Sequence, residues 1–203
     1  MRADGDHRVD RHPDDGQQDD GTERADDLAP GGPEPGGRPR PPERGQPGRQ
    51  TRVLGGESPL SYSFGQEQIV FEGEAEGPLF GGCLSLTTSL TGTPYDFWID
   101  GGVWFFEDVD EPVYRIDRML THLRLSGRLK KIRAVVIGKL KDCGSDPEIE
   151  ALLHEFFASS NIPVIRNLPF GHHGDNLLMP VGSVVRVSTR DRTLTFAQPA
   201  VRP

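Results

Sequence analysis

The sequence predicts an α/β fold built on a mixed sheet, and three observations support this prediction. Short apolar runs typical of buried strands alternate along the chain with stretches whose apolar side chains recur at helical spacing. The last two predicted strands follow each other across a short polar turn, which is typical of an antiparallel hairpin. The aromatic residues, which usually belong to a core, all come after residue 52.

Residues 1–52 are predicted to form a disordered tail. The first 50 residues contain no Phe, Tyr, Trp, Ile or Lys, and they are rich in Pro, Gly, Asp and Arg. Such a segment cannot bury enough apolar surface to offset the entropy of ordering the chain. A GC-rich gene read out of frame would give a similar composition. Residues 53–203 are left as one domain of about 150 residues, which is long enough for a single core.

The first elements of this domain are a strand, a short helix and a second strand. Residues 68–74 alternate apolar and polar side chains, which predicts a strand. Residues 83–90 follow a pair of glycines and form an apolar stretch that suits a short helix. The apolar run 103–106 predicts a buried strand that ends at the acidic pair Glu107-Asp108.

The next element is an amphipathic helix between Pro112 and Gly127. Proline is favoured at the start of a helix and glycine just past its end. The apolar side chains between them fall on one stripe at a spacing of three and four residues. Residues 134–138 then form an uninterrupted apolar run, which predicts a second buried strand.

The last elements are a helix, a strand and a hairpin. Ser145 and Glu148 have the spacing of a capping box, so a helix is expected to begin there. Residues 162–165 predict a short strand, and 183–188 are expected to pair with 193–197 across a turn. This antiparallel pair is the reason for expecting a mixed sheet.

Charge and composition exclude several classes of function. The formal net charge of -8 disfavours a nucleic-acid surface, because phosphates would meet the wrong sign of charge. No run of about 18 apolar residues and no signal peptide is present, so no membrane span is expected and the cytoplasm is the expected compartment. Cys83 and Cys143 lack metal-ligand neighbours at the usual spacing, which favours reduced thiols.

Two acidic residues and a histidine loop are the strongest candidates for chemistry. A carboxylate at the end of a buried strand, such as Glu107, is held rigidly, and a neutral imidazole such as that of His172 can accept a proton near pH 7. Together they could act as an orienting acid and a general base for a hydroxyl nucleophile. From spacing alone, Glu107 could equally be a solvated residue and the loop 171–175 an ordinary polar loop.

A metal site is the competing interpretation of the same residues. Glu107, Asp108, His172, His173 and Asp175 offer suitable ligand types. Adjacent histidines usually diverge in direction, however, and no second spaced histidine cluster supports the pair, so no metal is expected. The charged face of the helix at 114–118 is most simply a solvated surface with local ion pairs.

Six segments together resemble the C-terminal domain of the LD-carboxypeptidases. Their order and spacing agree over nearly all of the chain from about Glu72 to Phe196, which is far more specific than any single motif. The segments are residues 76–84, 90–94, 105–111, 114–120, 136–138 and 168–172.

The resemblance implies a fold, an activity and roles for two residues. It implies a swivelling β/α domain packed against a separate α/β domain that presents a serine nucleophile. Glu107 would orient the imidazole of His172, and His172 would be the general base. His173 matches no required family position, and Asp108 is part of the pattern but is not the triad acid. The family hydrolyses the bond to a terminal D-amino acid, such as D-alanine in murein tetrapeptides, during peptidoglycan recycling. No metal or organic cofactor is implied.

Two departures from the family pattern affect these expectations. Cys83 stands where the family usually has an asparagine. The serine-bearing domain has no counterpart in the tail, and Ser61 and Ser63 lack the aspartate that follows the family's nucleophile. We therefore expect the chain alone to be nearly inactive, with an uncovered apolar face that favours association, for example as a homodimer. The alternatives are a truncated, non-catalytic binding module and a peptidase like the microcin C immunity proteins.

Overall fold

The computed structural model describes residues 59–174 and 176–199, and these residues form one mixed sheet of eight strands with three helices. The α/β prediction is therefore confirmed. The predicted disordered tail, residues 1–52, lies outside the described residues.

The elements follow in chain order. The strands are β1 (Leu60–Ser63), β2 (Ile69–Phe71), β3 (Glu74–Cys83), β4 (Val103–Val109), β5 (Ala134–Lys141), β6 (Val164–Ile165), β7 (Val184–Ser188) and β8 (Thr193–Phe196). The helices are α1 (Leu84–Leu90), α2 (Val113–Leu125) and α3 (Asp146–Phe157). The longest helix in this part of the chain, α2 with 13 residues, is too short to cross a bilayer.

The spatial order of the strands is β1-β8-β7-β3-β4-β5-β6-β2. The four central strands β3, β4, β5 and β6 are parallel, while β7, β8 and β1 add antiparallel strands on one side and β2 on the other. The carboxyl ends of the parallel strands therefore meet at one edge of the sheet, which is where α/β folds usually place their sites.

The two faces of the sheet bury two separate cores, because successive residues of a strand point to opposite faces. On β4, Trp104 and Phe106 pack against the helices, whereas Val103 and Phe105 pack on the other face with the side chains of β7, β8 and β1. Each fully buried side chain of this size contributes about 2 to 3 kcal/mol through loss of contact with water.

Helices α2 and α3 form as their sequences predict. Val113 follows Pro112, and the chain leaves α2 through Gly127, whose φ of 77° is easy for glycine and costly for other residues. At the start of α3, the backbone N–H of Ser145 donates to Glu148 Oε2 at 3.0 Å, which confirms the capping box.

Several strand predictions need correction. No strand was expected at β1, and the strand predicted over residues 68–74 is only the three-residue β2, which ends before β3 begins. The ten-residue strand β3 was not expected, since its glycines and Pro78 are unusual in a strand. Pro78 lies where β3 changes partner from β7 to β4, so its missing N–H is tolerated. A Cβ at Gly81 would lie 1.7 Å from the carbonyl oxygen of Phe105, so the close approach of β4 requires glycine. A further correction is that β4 does not end before Glu107-Asp108 but includes both residues.

Candidate active site

Glu107 is held near the carboxyl end of β4, on the face of the sheet opposite the helices. Glu107 as a whole is 7 % exposed, and its Cα pairs with the Cα of Cys83 on β3. On the other side, β5 has a bulge: Phe106 pairs with Ile137, but Asp108 pairs with Leu140. The extra residue in β5 changes the direction of the strand directly opposite Glu107, as bulges beside functional sites commonly do.

The loop after β6 runs along β5 and brings the histidines to this place. The N–H of Leu168 donates to the carbonyl of Ile137 at 3.1 Å, and the N–H of Lys139 donates to the carbonyl of Phe170 at 3.3 Å. Gly138 lies between them, and a Cβ there would be 2.6 Å from the Phe170 ring. The absence of a side chain at Gly138 thus allows Phe170 to pack on the strand and fixes the path of the loop.

Gly171 and Asn176 set the direction of the loop at His172. Gly171 has φ 93°, and a Cβ on it would lie 2.4 Å from both Cγ and Oε2 of Glu107. Asn176 Oδ1 accepts the N–H of Gly171 at 3.1 Å, and its Nδ2 donates to the carbonyl of Gly171 at 3.2 Å. Glycine is required here both for its backbone conformation and for the space that the carboxylate occupies.

Glu107 and His172 are in direct contact. Glu107 Oε2 lies 2.7 Å from Nδ1 of His172 and accepts the backbone N–H of the same residue at 3.1 Å. The carboxylate can only accept, so Nδ1 carries a proton and Nε2 is the basic nitrogen when the ring is neutral. The glutamate side chain is 10 % exposed and that of the histidine is 54 % exposed. An anchored carboxylate thus orients an accessible base.

Asp108 is separated from this pair, because the next residue of a strand points to the opposite face. Its residue is 2 % exposed, and its carboxylate accepts the N–H of Ser85 at 2.8 Å and the N–H of Val109 at 2.9 Å. The thiol of Cys83 donates to it at 3.5 Å. Since Ser85 is in the first turn of α1, Asp108 on β4 caps the amino terminus of that helix.

The remaining candidate residues do not join the pair. His173 has an exposed side chain, and its N–H donates to the carbonyl of Gly171 at 2.8 Å. Ser61 Oγ lies 3.1 Å from Thr195 Oγ1 on the neighbouring strand β8. Arg115 forms an ion pair with Glu111 at 3.3 Å on the surface of α2. Asp175 lies outside the described residues.

Neither cysteine takes part in a disulfide. Burial raises the pKa of the Cys143 thiol, and the nearby carboxylates of Asp108, Glu111 and Asp110 raise it further. This thiol is therefore protonated and unreactive at neutral pH. Within residues 59–174 and 176–199, no three His, Cys, Asp or Glu side chains are arranged to hold a metal ion.

Sequence analysis assigned no positioning role to the residues that build the loop, although Gly138 and Phe170 lie in segments that carry the family resemblance. Gly138, Phe170 and Asn176 position the histidine but carry no chemistry of their own. The available signals were the glycine that ends the apolar run of β5 and the glycine that precedes the histidine.

Comparison with known proteins gives a consistent result. Residues 76–187 match the family model described as the LD-carboxypeptidase C-terminal domain. The chain is 33% identical over 126 residues to a probable murein peptide carboxypeptidase of Bacillus subtilis, covering 60% of this chain and 40% of that protein. It is 31% identical over 139 residues to the murein tetrapeptide carboxypeptidase of Pseudomonas aeruginosa, covering 65% and 44%.

Solved structures show the same similarity. The crystal structure of muramoyltetrapeptide carboxypeptidase from Oxalobacter formigenes superposes with a TM-score of 0.66 at 30% identity, covering 74% of this chain and 54% of that one. The chain therefore spans only about half of the solved relative, and 40% of the Bacillus protein.

Proposed function

Because this chain belongs to the LD-carboxypeptidase family through its C-terminal domain, we propose that it supplies the carboxylate and the base of a peptidase active site. The proposed reaction is hydrolysis of the amide bond to a terminal D-amino acid, such as D-alanine, in murein tetrapeptides. The observation that carries the proposal is the 2.7 Å contact between Glu107 and His172 at the carboxyl edge of the parallel strands.

The proposed chemistry follows from the atoms of this pair. His172 Nε2 removes the proton of a serine hydroxyl as the serine oxygen attacks the substrate carbonyl carbon. The imidazolium then donates that proton to the leaving amine as the carbon–nitrogen bond breaks. In the second half-reaction, Nε2 removes a proton from a water molecule as its oxygen attacks the ester carbonyl, and the imidazolium returns this proton to the serine oxygen as the ester bond breaks. Glu107 remains ionised throughout and stabilises the imidazolium without taking the proton.

The nucleophile is proposed to come from a separate serine-bearing domain. The imidazole is more than half exposed, so its Nε2 is accessible to a group brought from outside the described residues. Ser61 and Ser63 are poor alternatives, since they alternate with the buried Tyr62 and their side chains therefore lie on the outer face of β1. The murein substrate and the serine domain are thus the proposed partners.

The proposal is tested by measuring release of D-alanine from a murein tetrapeptide. The purified chain is assayed alone and after mixing with the separately produced serine-bearing half of a murein tetrapeptide carboxypeptidase. His172→Ala is the test variant, and His122→Ala, an exposed histidine on α2, is the matched control. We expect no release by the chain alone and release by the mixture that only His172→Ala abolishes.

Two other outcomes would change the proposal. Release by the chain alone that disappears in His172→Ala would mean that this chain provides its own nucleophile. A mixture that forms a complex by size-exclusion chromatography yet releases no D-alanine would contradict the catalytic role and favour a binding module.

A further inference from the structure

A small cavity lies beside the loop that carries His172. It has a volume of about 210 Å³ and is bounded by the end of β5, the first two turns of α3 and the segment after β6. His173, the neighbour of the proposed base, is one of its lining residues. The volume is below the range of about 300 to 1,000 Å³ that is usual for drug-sized ligands, so only a small molecule fits.

The wall toward the core is apolar. Ile137 on β5 and Ile149 and Leu153 on α3 line the cavity, and all three are buried members of the core under the helices. Such a surface can contact a small aliphatic side chain. It offers no hydrogen bonds of its own, so any specificity must come from the polar and charged lining residues, which include Asn167 and His173.

Three of the four fully charged lining residues are cations, but two of those cations are already paired. Arg166 Nη2 lies 2.9 Å from Glu150 Oε2, and Lys141 Nζ lies 3.6 Å from Asp142 Oδ2. The cation left is Lys139, and the only carboxylate in the lining is Asp146. Within the described residues, neither of these two has an oppositely charged side chain within 4.0 Å, since neither forms a salt bridge.

One unpaired cation, one unpaired anion and an apolar wall define the kind of ligand that fits. A simple anion would be attracted by Lys139 but repelled by Asp146. A simple cation would be attracted by Asp146 but repelled by Lys139. We propose that this cavity binds a free α-amino acid with a small side chain. Its carboxylate would face Lys139, its ammonium group Asp146, and its side chain the apolar wall.

The identity of the amino acid rests on the proposed function. If the chain takes part in releasing a terminal D-amino acid, this product is set free near the loop that bears His172, and His173 of the same loop lines the cavity, although Glu107 lies on the other face of the sheet. D-alanine is then the expected ligand, and the cavity is a product site.

The binding is tested by nuclear magnetic resonance on the full isotope-labelled chain, titrated with D-alanine up to ~100 mM, since ion pairs at exposed positions give weak affinity. L-alanine, acetate and ethylamine are the comparison probes. We expect saturable shifts of the Gly138, Lys139 and Asn167 amide signals with D-alanine, and no saturable shifts there with acetate or ethylamine.

Two variants remove one charge each from the cavity. Lys139→Met and Asp146→Asn are each expected to weaken D-alanine binding about fivefold, the change that corresponds to one exposed ion pair. The matched controls are Lys130→Met and Asp117→Asn, which change exposed residues outside the cavity lining and should bind as the unmodified chain does.

The proposal is overturned if D-alanine gives no saturable shift, if acetate alone binds as well, or if neither cavity variant weakens binding. Saturable binding of L-alanine but not D-alanine would keep the amino-acid site and remove its assignment as the product site. Because these measurements need no catalysis, they can fail while D-alanine release by the mixture succeeds, and the reverse also holds.

Discussion

Glu107 Oε2 accepts two hydrogen bonds from His172, one from ring Nδ1 at 2.7 Å and one from the backbone N–H at 3.1 Å. The first bond selects the ring tautomer that leaves Nε2 basic, and the second fixes the position of the His172 backbone from which the ring projects. A single buried carboxylate oxygen thus determines both the position and the protonation pattern of an exposed imidazole. Removing its charge should affect the base more than it affects the fold.

Glu107→Gln tests this relationship. The amide can present its N–H₂ group to Nδ1, which would favour the tautomer with the proton on Nε2 and leave no base for the nucleophile. We expect the D-alanine release of the mixed system to fall by about 10⁴-fold, as for other triads in which the carboxylate becomes an amide. The ring tautomer can be read from long-range nitrogen–proton correlation spectra of His172.

The control for this change is Glu76→Gln at an exposed position of β3. It should leave both the rate and the histidine spectrum unchanged. If Glu107→Gln kept the original tautomer and the original rate, the orienting role of the carboxylate would be wrong.

Gly171→Ala should displace the carboxylate from the imidazole. The added Cβ would lie 2.4 Å from Glu107 Cγ and Oε2, and the residue has φ 93°, which costs a non-glycine residue about 1 to 2 kcal/mol. We expect loss of the Nδ1 hydrogen-bond signal of His172, together with a decrease in the free energy of unfolding. Both are measurable on the chain alone, by nuclear magnetic resonance and by urea denaturation.

Alanine variants of two other glycines separate the effect of backbone strain at positive φ from the effect of a Cβ that collides with a neighbour. Gly182 has φ 85° but open space around its Cβ position, so its alanine variant should show the loss of stability alone. Gly174, in the same loop as Gly171, also has open space and no positive φ, so alanine there should change little. An unchanged His172 signal in Gly171→Ala would show that the loop relaxes around the new methyl group.

The sequence predicts an element well when the signals for that element are local. The helix between Pro112 and Gly127 has both an apolar stripe and terminal signals, and α2 was predicted within a residue at each end. The strand β3 was not predicted, because its glycines are set by the approach of β4, which is a tertiary contact. A residue chosen to fit a neighbouring backbone carries no local strand preference.

The same limit applies to the site. Glu107 and His172 are 65 residues apart, so no local pattern connects them. Their residue types suggested an acid and a base, but only the family resemblance was specific evidence for the pair. Adjacency in sequence was misleading for Asp108. Strand β4 continues through both acidic residues, and successive residues of a strand point to opposite faces, so Asp108 is separated from Glu107. The placement of the strand end thus decided whether the acidic pair was one site or two.

Asp108→Ala should destabilise the chain without removing the base. The change leaves the N–H of Ser85 at the start of α1 without its side-chain acceptor, and it removes one of two acceptors within reach of the Cys83 thiol. Loss of a buried helix cap costs about 1 to 2 kcal/mol, which urea denaturation can measure. Asp108→Asn keeps one acceptor oxygen and should cost less, and Asp117→Ala on the exposed face of α2 should cost almost nothing. Equal stability of Asp108→Ala and Asp117→Ala would contradict the capping role.

Asp96 should make the stability of the chain depend on pH. Burial alone would raise the pKa of this carboxyl, but hydrogen bonds from the N–H groups of Gly92 and Trp98 and the Arg128 guanidinium together hold the pKa below its usual value. A lowered pKa in the folded state stabilises the fold above the ordinary pKa of about 3.9, and this contribution disappears as pH falls through the folded value.

The measurement is the free energy of unfolding of Asp96→Asn and of the unmodified chain from pH 7 to pH 3. At pH 7 the variant should be less stable by about 1 kcal/mol, a modest value because Arg128 is partly exposed to solvent. Below pH 4 the gap should begin to narrow, because Asp96 of the unfolded chain takes up a proton there, and it should close fully only below the lowered pKa of the folded state. Asp100→Asn is the control, because its ion pair with Lys131 is more than 60 % exposed on both sides and contributes little. A gap that stays constant across this range would mean that the carboxylate charge of Asp96 does not stabilise the fold.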